Sequence, residues 1–425
     1  MASLASALAG GEMVFEELKE YPRAFKVLVA SALIENTAFG LIIPFLTIYM
    51  VDGIGLVEFL AGIVLMGYTI SGIPAMIFGG MLADKIGRRT VLLSSLGLMS
   101  LTMLLYFFAV DFWTFFVIAL ADSFVGSMYM PAANAMIADV IPSPNRPKAF
   151  SMLRIAWNVG IVFGPVLGAM IVAALPLKWL FVFGSAILMG AFCMNFVFIP
   201  ETKPEDTGEE ATFRKVFALT RDRPFFLISA LSGVFWFFFS QWMSVLPLYA
   251  TRDLEIKEYL FGLVFAVSAL MTVMLQISVT ERAVNYPRSA VLMSGQLIAS
   301  AGFALIFFAW DFASLLACVM IITAGELLYM SIISAVIADL APEDKRGIYM
   351  GFSGFVQTLG SGIGFFFGMT LLGLIPDQHE WVWPIFGGIG AVTSLGYVVF
   401  RRMIGPEKDR PHSLGKRKSE APPVH

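Results

Sequence analysis

Four ionisable residues lie inside long apolar runs of the sequence, where charge is costly. They are Glu35, Asp122, Arg154 and Glu326. Charged groups inside a bilayer usually mark a substrate path or a proton relay. A carboxyl desolvated there can exchange protons near neutral pH, and it can also attract a cation. The two roles compete, because the cation binds best after the proton has left. This competition is a physical basis for antiport.

A structural role is the alternative for each of the four residues. Glu35 and Asp122 lie about ten residues into their runs and Glu326 about fourteen, so all three are deep at ~1.5 Å per residue. At that depth a carboxyl can also be held neutral by a hydrogen bond to a neighbouring helix. Arg154 lies near the start of its run. Its head group can extend to the membrane surface or pair with a carboxylate.

Aromatic and polar residues in the same runs would complete a binding cavity. Aromatic faces together with carboxylates suit a lipophilic cation. A sugar site would need more Asn, Gln and Arg, and an organic-anion site would need several basic residues. The predicted cavity-lining residues are Asn36, Phe39, Met128, Tyr129, Asn134, Trp157, Asn158, Trp236, Gln241, Tyr329 and Gln357.

The composition indicates which elements must position these residues. Of 425 residues, 58% are hydrophobic and only 14% are charged, against about 25% charged in a soluble domain. The apolar runs have the length of membrane-spanning helices, not of alternating barrel strands. The sequence therefore predicts an all-α membrane protein. Its twelve helices, labelled α1 to α12 in chain order, are predicted at 25–50, 59–82, 91–109, 112–138, 150–174, 179–199, 225–249, 259–279, 289–309, 312–338, 350–374 and 382–400.

Charge placement predicts the orientation. With the N-terminus inside, cytoplasmic segments hold 24 of the 28 Lys and Arg residues. External loops hold three, namely Lys178, Arg252 and Lys257, and Arg154 lies within a span. Positive charge is enriched in cytoplasmic loops, so both termini are expected in the cytoplasm. We expect the cell membrane of a prokaryote as the location.

The two halves of the sequence repeat each other at an offset of 200 positions. "AVDF" at 109 matches "AWDF" at 309, and "MIADVIP" at 136 matches "VIADLAP" at 336. The register runs without a gap from α4 into α5, where three glycines also recur. Such a repeat predicts two pseudo-symmetric six-helix bundles, with a substrate cavity between them near the bilayer midplane. The predicted segments are a cytoplasmic N-terminal segment at 1–24, bundles at 25–199 and 225–400, a cytoplasmic linker at 200–224, and a disordered cytoplasmic tail at 401–425.

The stretch "GMLADKIGRR" at 80–89, between α2 and α3, resembles the signature of the major facilitator superfamily at that place. With the twelve spans and the repeat, this resemblance covers the whole chain. In the family the cluster latches the cytoplasmic side while the cavity faces outward. The resemblance implies a cytoplasmic gate of Gly80, Asp84, Gly87, Arg88, Arg89 and Asp139, with Arg88 paired to Asp139.

The residue types of this stretch fit such a gate. Gly80 would let α2 approach a neighbouring helix, and Gly87 would allow a sharp turn. Asp84 can face the positive end of a helix. A merely solvated basic loop is the alternative. The corresponding loop of the second half keeps only scattered charges such as Glu281 and Arg288, so a weaker latch is expected there.

A second motif in α5 is similar to the glycine–proline motif of the drug:proton antiporter branch. It comprises Gly160, Gly164, Pro165 and Gly168. Tight packing in any facilitator is the alternative explanation. Antiporters of this branch usually carry an Arg on α4, but no Lys or Arg occurs between Arg89 and Arg146. Proton coupling would then depend on the carboxylates and Arg154.

These observations favour a secondary active exporter of small lipophilic or cationic compounds, driven by proton exchange and working by alternating access. The alternatives are a facilitator-fold transporter of a specific metabolite or lipid and a non-transporting membrane sensor. No nucleotide loop, metal cluster or nucleophile–His arrangement is visible, so we expect no enzyme, no cofactor and no metal. The expected partners are a small-molecule substrate, protons and the lipid bilayer. Nucleic acid is not expected, and the chain is expected to be a monomer.

Overall fold

The computed structural model describes residues 18, 21–142, 145–202, 222–342, 346–376 and 378–409 of the chain. These residues form helices and connecting turns, with no strand among them. Most of the predicted N-terminal segment, the predicted linker and most of the predicted tail lie outside the described residues. The side chain of Arg346, in the predicted repeat, is also outside them.

Twelve helices among the described residues are long and apolar enough to cross a membrane. The all-α fold and the twelve predicted spans are confirmed. The observed helices are α1 Arg23–Ile48, α2 Glu58–Ile86, α3 Arg88–Tyr106, α4a Phe112–Ser127, α4b Tyr129–Val140, α5 Arg146–Ala174, α6 Trp179–Phe198, α7a Arg223–Phe239, α7b Val245–Arg252, α8 Glu258–Ala283, α9 Arg288–Leu305, α10a Phe312–Met330, α10b Ile333–Leu340, α11 Arg346–Leu374, α12a Val382–Ser394 and α12b Gly396–Lys408.

Four of the predicted helices are interrupted, although the sequence pattern predicted each as continuous: α4, α7, α10 and α12. Proline explains two of the breaks, because it lacks an N–H and its ring clashes with the carbonyl four residues earlier. Pro131 follows the break in α4 and Pro247 follows the break in α7. In α10 the Ser331 hydroxyl donates to the carbonyl of Leu327 at 2.6 Å. Each break lies in mid-span.

The repeated "DF" dipeptides begin α4 and α10 with the same capping box. The Asp111 carboxylate accepts from the backbone N–H of Thr114 at 2.8 Å, and Asp311 accepts from Ser314 at 2.8 Å. Hydrogen bonds from the backbone N–H and the hydroxyl of Thr114 hold the pKa of Asp111 below its ordinary value. The hydroxyl and backbone N–H of Ser314 do the same for the pKa of Asp311. The sequence repeat is therefore also a repeat of local structure.

The chain divides into two compact units. The first comprises Met1–Gly208 and Met243–Met274, and the second comprises Glu209–Trp242 and Leu275–His425. The first unit thus contains α7b and the first part of α8 in addition to α1–α6. Gly262 of α8 lies against α1 and α5, where an added Cβ would be 2.9 Å from Phe45 and 3.0 Å from Ala169. The division at 200–224 into two six-helix bundles stays a prediction.

Glycines bring α1 and α5 of the first unit into backbone contact. An added Cβ at Gly164 would lie 2.6 Å from the Cα of Gly40. At Gly160 and at Gly168 it would lie 2.5 Å from a carbonyl oxygen of α1. Pro165 of the same motif packs against Gly40. The close packing predicted for this motif is therefore observed.

The same arrangement joins α7a and α11 in the second unit. An added Cβ at Gly360 would overlap the carbonyl oxygen of Gly233, and one at Gly364 would overlap that of Phe237. Buried Gln241 adds a hydrogen bond, because its Nε2 donates to the carbonyl of Gly364 at 2.9 Å. Small residues at helix interfaces are the common means of helix association in membranes.

Replacing Gly164 by Ala should lower the thermal unfolding midpoint of the purified protein. The new methyl overlaps Gly40, and overpacking typically costs ~1–3 kcal/mol. That exceeds the ~0.5–1 kcal/mol that Ala gains over Gly within a helix. Gly190→Ala is the matched control, because an added Cβ there meets nothing within 4 Å. It should leave the midpoint unchanged or raise it. Equal shifts in both variants would show that Gly164 is not a packing contact.

Candidate functional site

Asp122 is buried in the first unit and faces α3. Its side chain lies on α4a, with only 6% of the residue exposed. The hydroxyl of Thr102 on α3 donates to its Oδ1 at 2.6 Å. Asp122 is therefore a buried acid with a hydroxyl donor on the neighbouring helix.

Glu35 of α1 is half-buried, and one of its carboxyl oxygens has no partner. Oε2 is buried and makes no hydrogen bond with any described residue. A buried carboxyl oxygen without a partner is satisfied by a proton, a water molecule or a cation. Glu35 and Asp122 both belong to the first unit.

Glu326 lies on α10a in the second unit and is half-buried. It makes no ion pair within the described part of the chain. The residue before it, Gly325, fixes its position, because an added Cβ there would overlap the backbone of Ala299 on α9. Gly325 faces α9, and consecutive helical residues point about 100° apart. Glu326 therefore points away from the contact between α9 and α10.

Arg154 is exposed on α5, and no described carboxylate pairs with it. α5 begins at Arg146 instead of the predicted residue 150. The predicted extension of Arg154 to the membrane surface stays a prediction.

The predicted cavity residues fall into two groups. Buried Asn36 donates to the carbonyl of Ala32 at 2.9 Å, and Gln241 joins α7 to α11. Tyr129 is buried in the core of the first unit and Tyr329 in that of the second. These four side chains pack inside their units. The residues that keep accessible surface are Phe39, Met128, Asn134, Trp157, Asn158, Trp236 and Gln357.

A buried polar network around Tyr329 was not predicted from the sequence. The Tyr397 hydroxyl lies 3.1 Å from both the Tyr329 hydroxyl and Oε1 of Gln296. The Tyr329 ring is stacked on Phe235, with centroids 3.9 Å apart. The amide nitrogen of Gln296 donates to Thr393 at 2.8 Å. The polar residues within the apolar runs of α9 and α12 were the only sequence signal of this network. Their spacing along the chain does not show that they meet.

Arg88 forms the centre of the predicted gate. Its buried guanidinium lies 2.8 Å from Asp84 and 3.1 Å from Asp139, and it donates to the carbonyl of Ala83 at 3.0 Å. Gly87 precedes it with φ of 104°, a conformation that favours glycine. The pairing of Arg88 with Asp139 is present in the structure, while its role as a latch stays a prediction.

Gly80 does not make the close helix contact that was predicted for it. An added Cβ there would be 3.9 Å from its nearest neighbour, Pro131, which is an ordinary distance. Gly79 makes the contact instead, because an added Cβ would lie 2.7 Å from the Cα of Met128 on α4. Adjacent residues on a helix point about 100° apart, so only Gly79 faces α4.

Acids beyond the sixth helix of each half cap the third helix. Glu201 accepts from the backbone N–H of Arg89 at 3.3 Å. In the second unit, Asp409 accepts from the backbone N–H of Ser289 at 2.8 Å. The second unit also has an ion pair equivalent to that of Arg88, in which Arg288 lies 2.6 Å from Asp339. That pair is the more exposed of the two and has a single acid.

Arg252 forms an ion-pair cluster at the other end of the first unit. Its guanidinium lies 2.5 Å from Asp52 and 2.7 Å from Glu58. The cluster joins α7b, the π-helical turn Tyr49–Gly53 that follows α1, and the start of α2. Sequence reasoning placed Arg252 in an external loop but did not pair it, because its partners are about 200 residues away.

Comparison with known families identifies the class of protein. The family model of the Major Facilitator Superfamily matches residues 28–365 and 285–425. The chain belongs to the Major Facilitator Superfamily, and it is an integral membrane protein. The resemblance seen in the sequence is confirmed.

Three relatives and one solved structure illustrate the similarity. The chain is 27% identical to the uncharacterized MFS-type transporter YqjV of Bacillus subtilis (strain 168), over 88% of this chain and 92% of that protein. It is 26% identical to the Na(+), Li(+), K(+)/H(+) antiporter of Planococcus maritimus, over 81% and 88%. It is 24% identical to the quinolone resistance protein NorA of Staphylococcus aureus (strain COL), over 85% and 91%. A POT family transporter in complex with 5-aminolevulinic acid has the same fold, with a TM-score of 0.76, 15% identity, and 90% and 97% coverage.

Replacing Arg88 by Ala should slow transport of a cationic dye such as ethidium at least roughly tenfold. The change leaves Asp139 without its buried partner, and lost charge-assisted bonds cost ~1.5–3 kcal/mol. Dye binding to the purified protein should change little, because Arg88 is expected to latch the chain and not to touch substrate. Arg402→Ala, which removes an exposed arginine of α12b, is the control. Equal losses of binding and transport in the Arg88 variant would contradict a latch.

Proposed function

We propose that the protein is a secondary active exporter of small lipophilic or cationic compounds that exchanges its substrate for protons. The observation that carries this proposal is the buried, unpartnered oxygen of Glu35. Glu35, Asp122 and Glu326 are three acids that lie well inside membrane spans. No described basic residue pairs with any of the three. Such acids are free to take a proton or a cation.

Competition for the same carboxyls would couple the two movements. A deprotonated carboxylate in a desolvated site attracts a cation strongly, whereas the protonated form does not. Asp122 has a hydroxyl donor in Thr102 that stabilises its charged form, while Glu35 has none at Oε2. The two acids of the first unit therefore differ in their environments. This difference supports distinct roles, in which Glu35 exchanges and Asp122 sets the local field.

The relatives support a cation–proton exchange. One is an antiporter of alkali cations and protons, and another is a quinolone resistance protein. Exposed aromatic residues near Glu35, such as Phe39, suit a lipophilic cation. The accessible Trp157 and Asn158 of α5 could contact substrate in the same way. Alternating access would follow from the family, with the pairing of Arg88 and Asp139 as its cytoplasmic latch.

Alkali-cation/proton antiport is a second candidate for the same carboxyls. The antiporter of Planococcus maritimus matches the chain with slightly higher identity than the drug-resistance relative. Carboxylate oxygens are also the ligands that hard cations prefer. The two candidates differ in whether accumulation of ethidium or of Na⁺ responds to an imposed pH gradient. A specific metabolite carrier would respond to neither.

Neutralising the coupling acid should abolish uphill export while leaving downhill exchange. The test uses Glu35→Gln, Asp122→Asn, Glu326→Gln and the triple variant, in proteoliposomes with and without a pH gradient. A substrate-binding acid should instead weaken transport of cationic compounds more than of neutral ones. Glu281→Gln, at an exposed position at the end of α8, should behave as the wild type. Uphill export by the triple variant with unchanged pH dependence would contradict the proposal.

A further inference from the structure

The loop that follows α2 in the first unit and the loop that follows α8 in the second have equivalent residues. Arg88 and Arg288, which are 200 positions apart, pair with Asp139 and Asp339, which are also 200 positions apart. The offset therefore holds in structure as well as in sequence. Three further identities in this stretch are Ala83 with Ala283, Val91 with Val291, and Leu92 with Leu292.

The second unit has a valine at the position that corresponds to a contact glycine of the first unit. In the first unit α2 approaches α4 at Gly79, where an added Cβ would lie only 2.7 Å from the Cα of Met128. The equivalent residues in the second unit are Val279 and Leu328. Valine carries that Cβ and two methyl groups, so α8 cannot approach α10 as closely. A cavity of about 330 Å³ lies at this place, with Val279, Leu328 and Val291 in its wall.

Two further sequence differences between the units place a cationic and an aromatic residue at the mouth of this cavity. The apolar Leu82 and Ile86 of the first unit correspond to Arg282 and Tyr286. Both line the cavity, and Tyr286 is 62% exposed. The guanidinium of Arg282 has no hydrogen-bond or ion-pair partner within the described part of the chain. Arg282 lies in the last turn of α8 and Tyr286 in the turn that follows it. A membrane span meets the interface at such a helix end, where Tyr and Arg commonly anchor.

We propose that this α8–α10 groove, formed by Val279, Arg282, Tyr286, Ala290 and Leu328, binds an anionic phospholipid. One acyl chain lies against the apolar wall, and the phosphate faces Arg282. A free phosphate would find almost no polar lining inside. A zwitterionic lipid offers Arg282 a head group without net charge.

Arg282 is the charged residue of the groove that would contact the lipid phosphate, because the neighbouring charged residues are paired or point elsewhere. Arg288 is held by Asp339 at 2.6 Å. Glu281 is exposed and does not line the groove, because consecutive helical residues point about 100° apart. One Arg near the membrane surface changes affinity for anionic lipid by roughly fivefold. A selectivity of that size for anionic over zwitterionic lipid is therefore expected.

Native mass spectrometry of the purified full-length protein tests this site. Phosphatidylglycerol and phosphatidylcholine with identical acyl chains are titrated separately, and the apparent Kd of the first lipid adduct is measured. Wild type should bind phosphatidylglycerol roughly fivefold more tightly. Arg282→Gln should remove that preference. Ala290→Phe, which fills the groove, should weaken the binding of both lipids. Arg402→Gln removes the same charge from an exposed position of α12b and should change neither.

The outcomes that would overturn the proposal are distinct. Equal binding of both lipids by the wild type would show that Arg282 does not select a head group. An unchanged preference in Arg282→Gln would place the anionic lipid elsewhere. Unchanged binding by Ala290→Phe would show that no chain enters the groove. A thermal unfolding midpoint measured for each variant establishes that it is folded, so that loss of binding is not mistaken for loss of structure.

Discussion

Backbone contact between helices is the constraint on which both units depend. Lipid is as apolar as the helix surfaces, so helices in a membrane associate by close packing and hydrogen bonds, without a hydrophobic force between them. Gly164 against Gly40 and Gly360 against Gly233 supply such contacts in the two units. Because the contact of Gly164 with Gly40 holds α5 to α1, it also fixes the rotation of α1, the helix that carries Glu35. The depth and direction of Glu35 follow from the packing of α1.

Residues 200 positions apart are identical where they build the scaffold of both halves. They differ where the two halves differ in chemistry. The capping aspartates at the starts of α4 and α10 and the arginines of the two ion pairs are retained. The second acid of the Arg88 cluster is replaced by Val284. Where the first unit has Gly79 the second has Val279, and a cavity lies there between α8 and α10. Divergence from the repeat is therefore a physical guide to sites that only one half possesses.

Much of the fold could be predicted from the sequence, but the facing of side chains could not. Apolar length gave the twelve spans, and the repeat gave the equivalent positions. Spacing fixes how deep Asp122 lies, whereas its contact with Thr102 depends on how α4 is rotated against α3. The same limit explains why Tyr329 was expected at a cavity wall but lies in a buried network. The break in α4 was predictable in principle from Pro131.

In the proposed mechanism a proton and a cation compete for the same carboxyls inside the membrane spans. The most direct test measures whether the purified protein releases protons when it binds tetraphenylphosphonium. The measurement uses a pH indicator in weakly buffered solution. Competition predicts that protons are released in proportion to bound cation. It also predicts that the release disappears when Glu35, Asp122 and Glu326 are replaced together by their amides. Saturable binding of the cation with no proton release by the wild-type protein would contradict the claim.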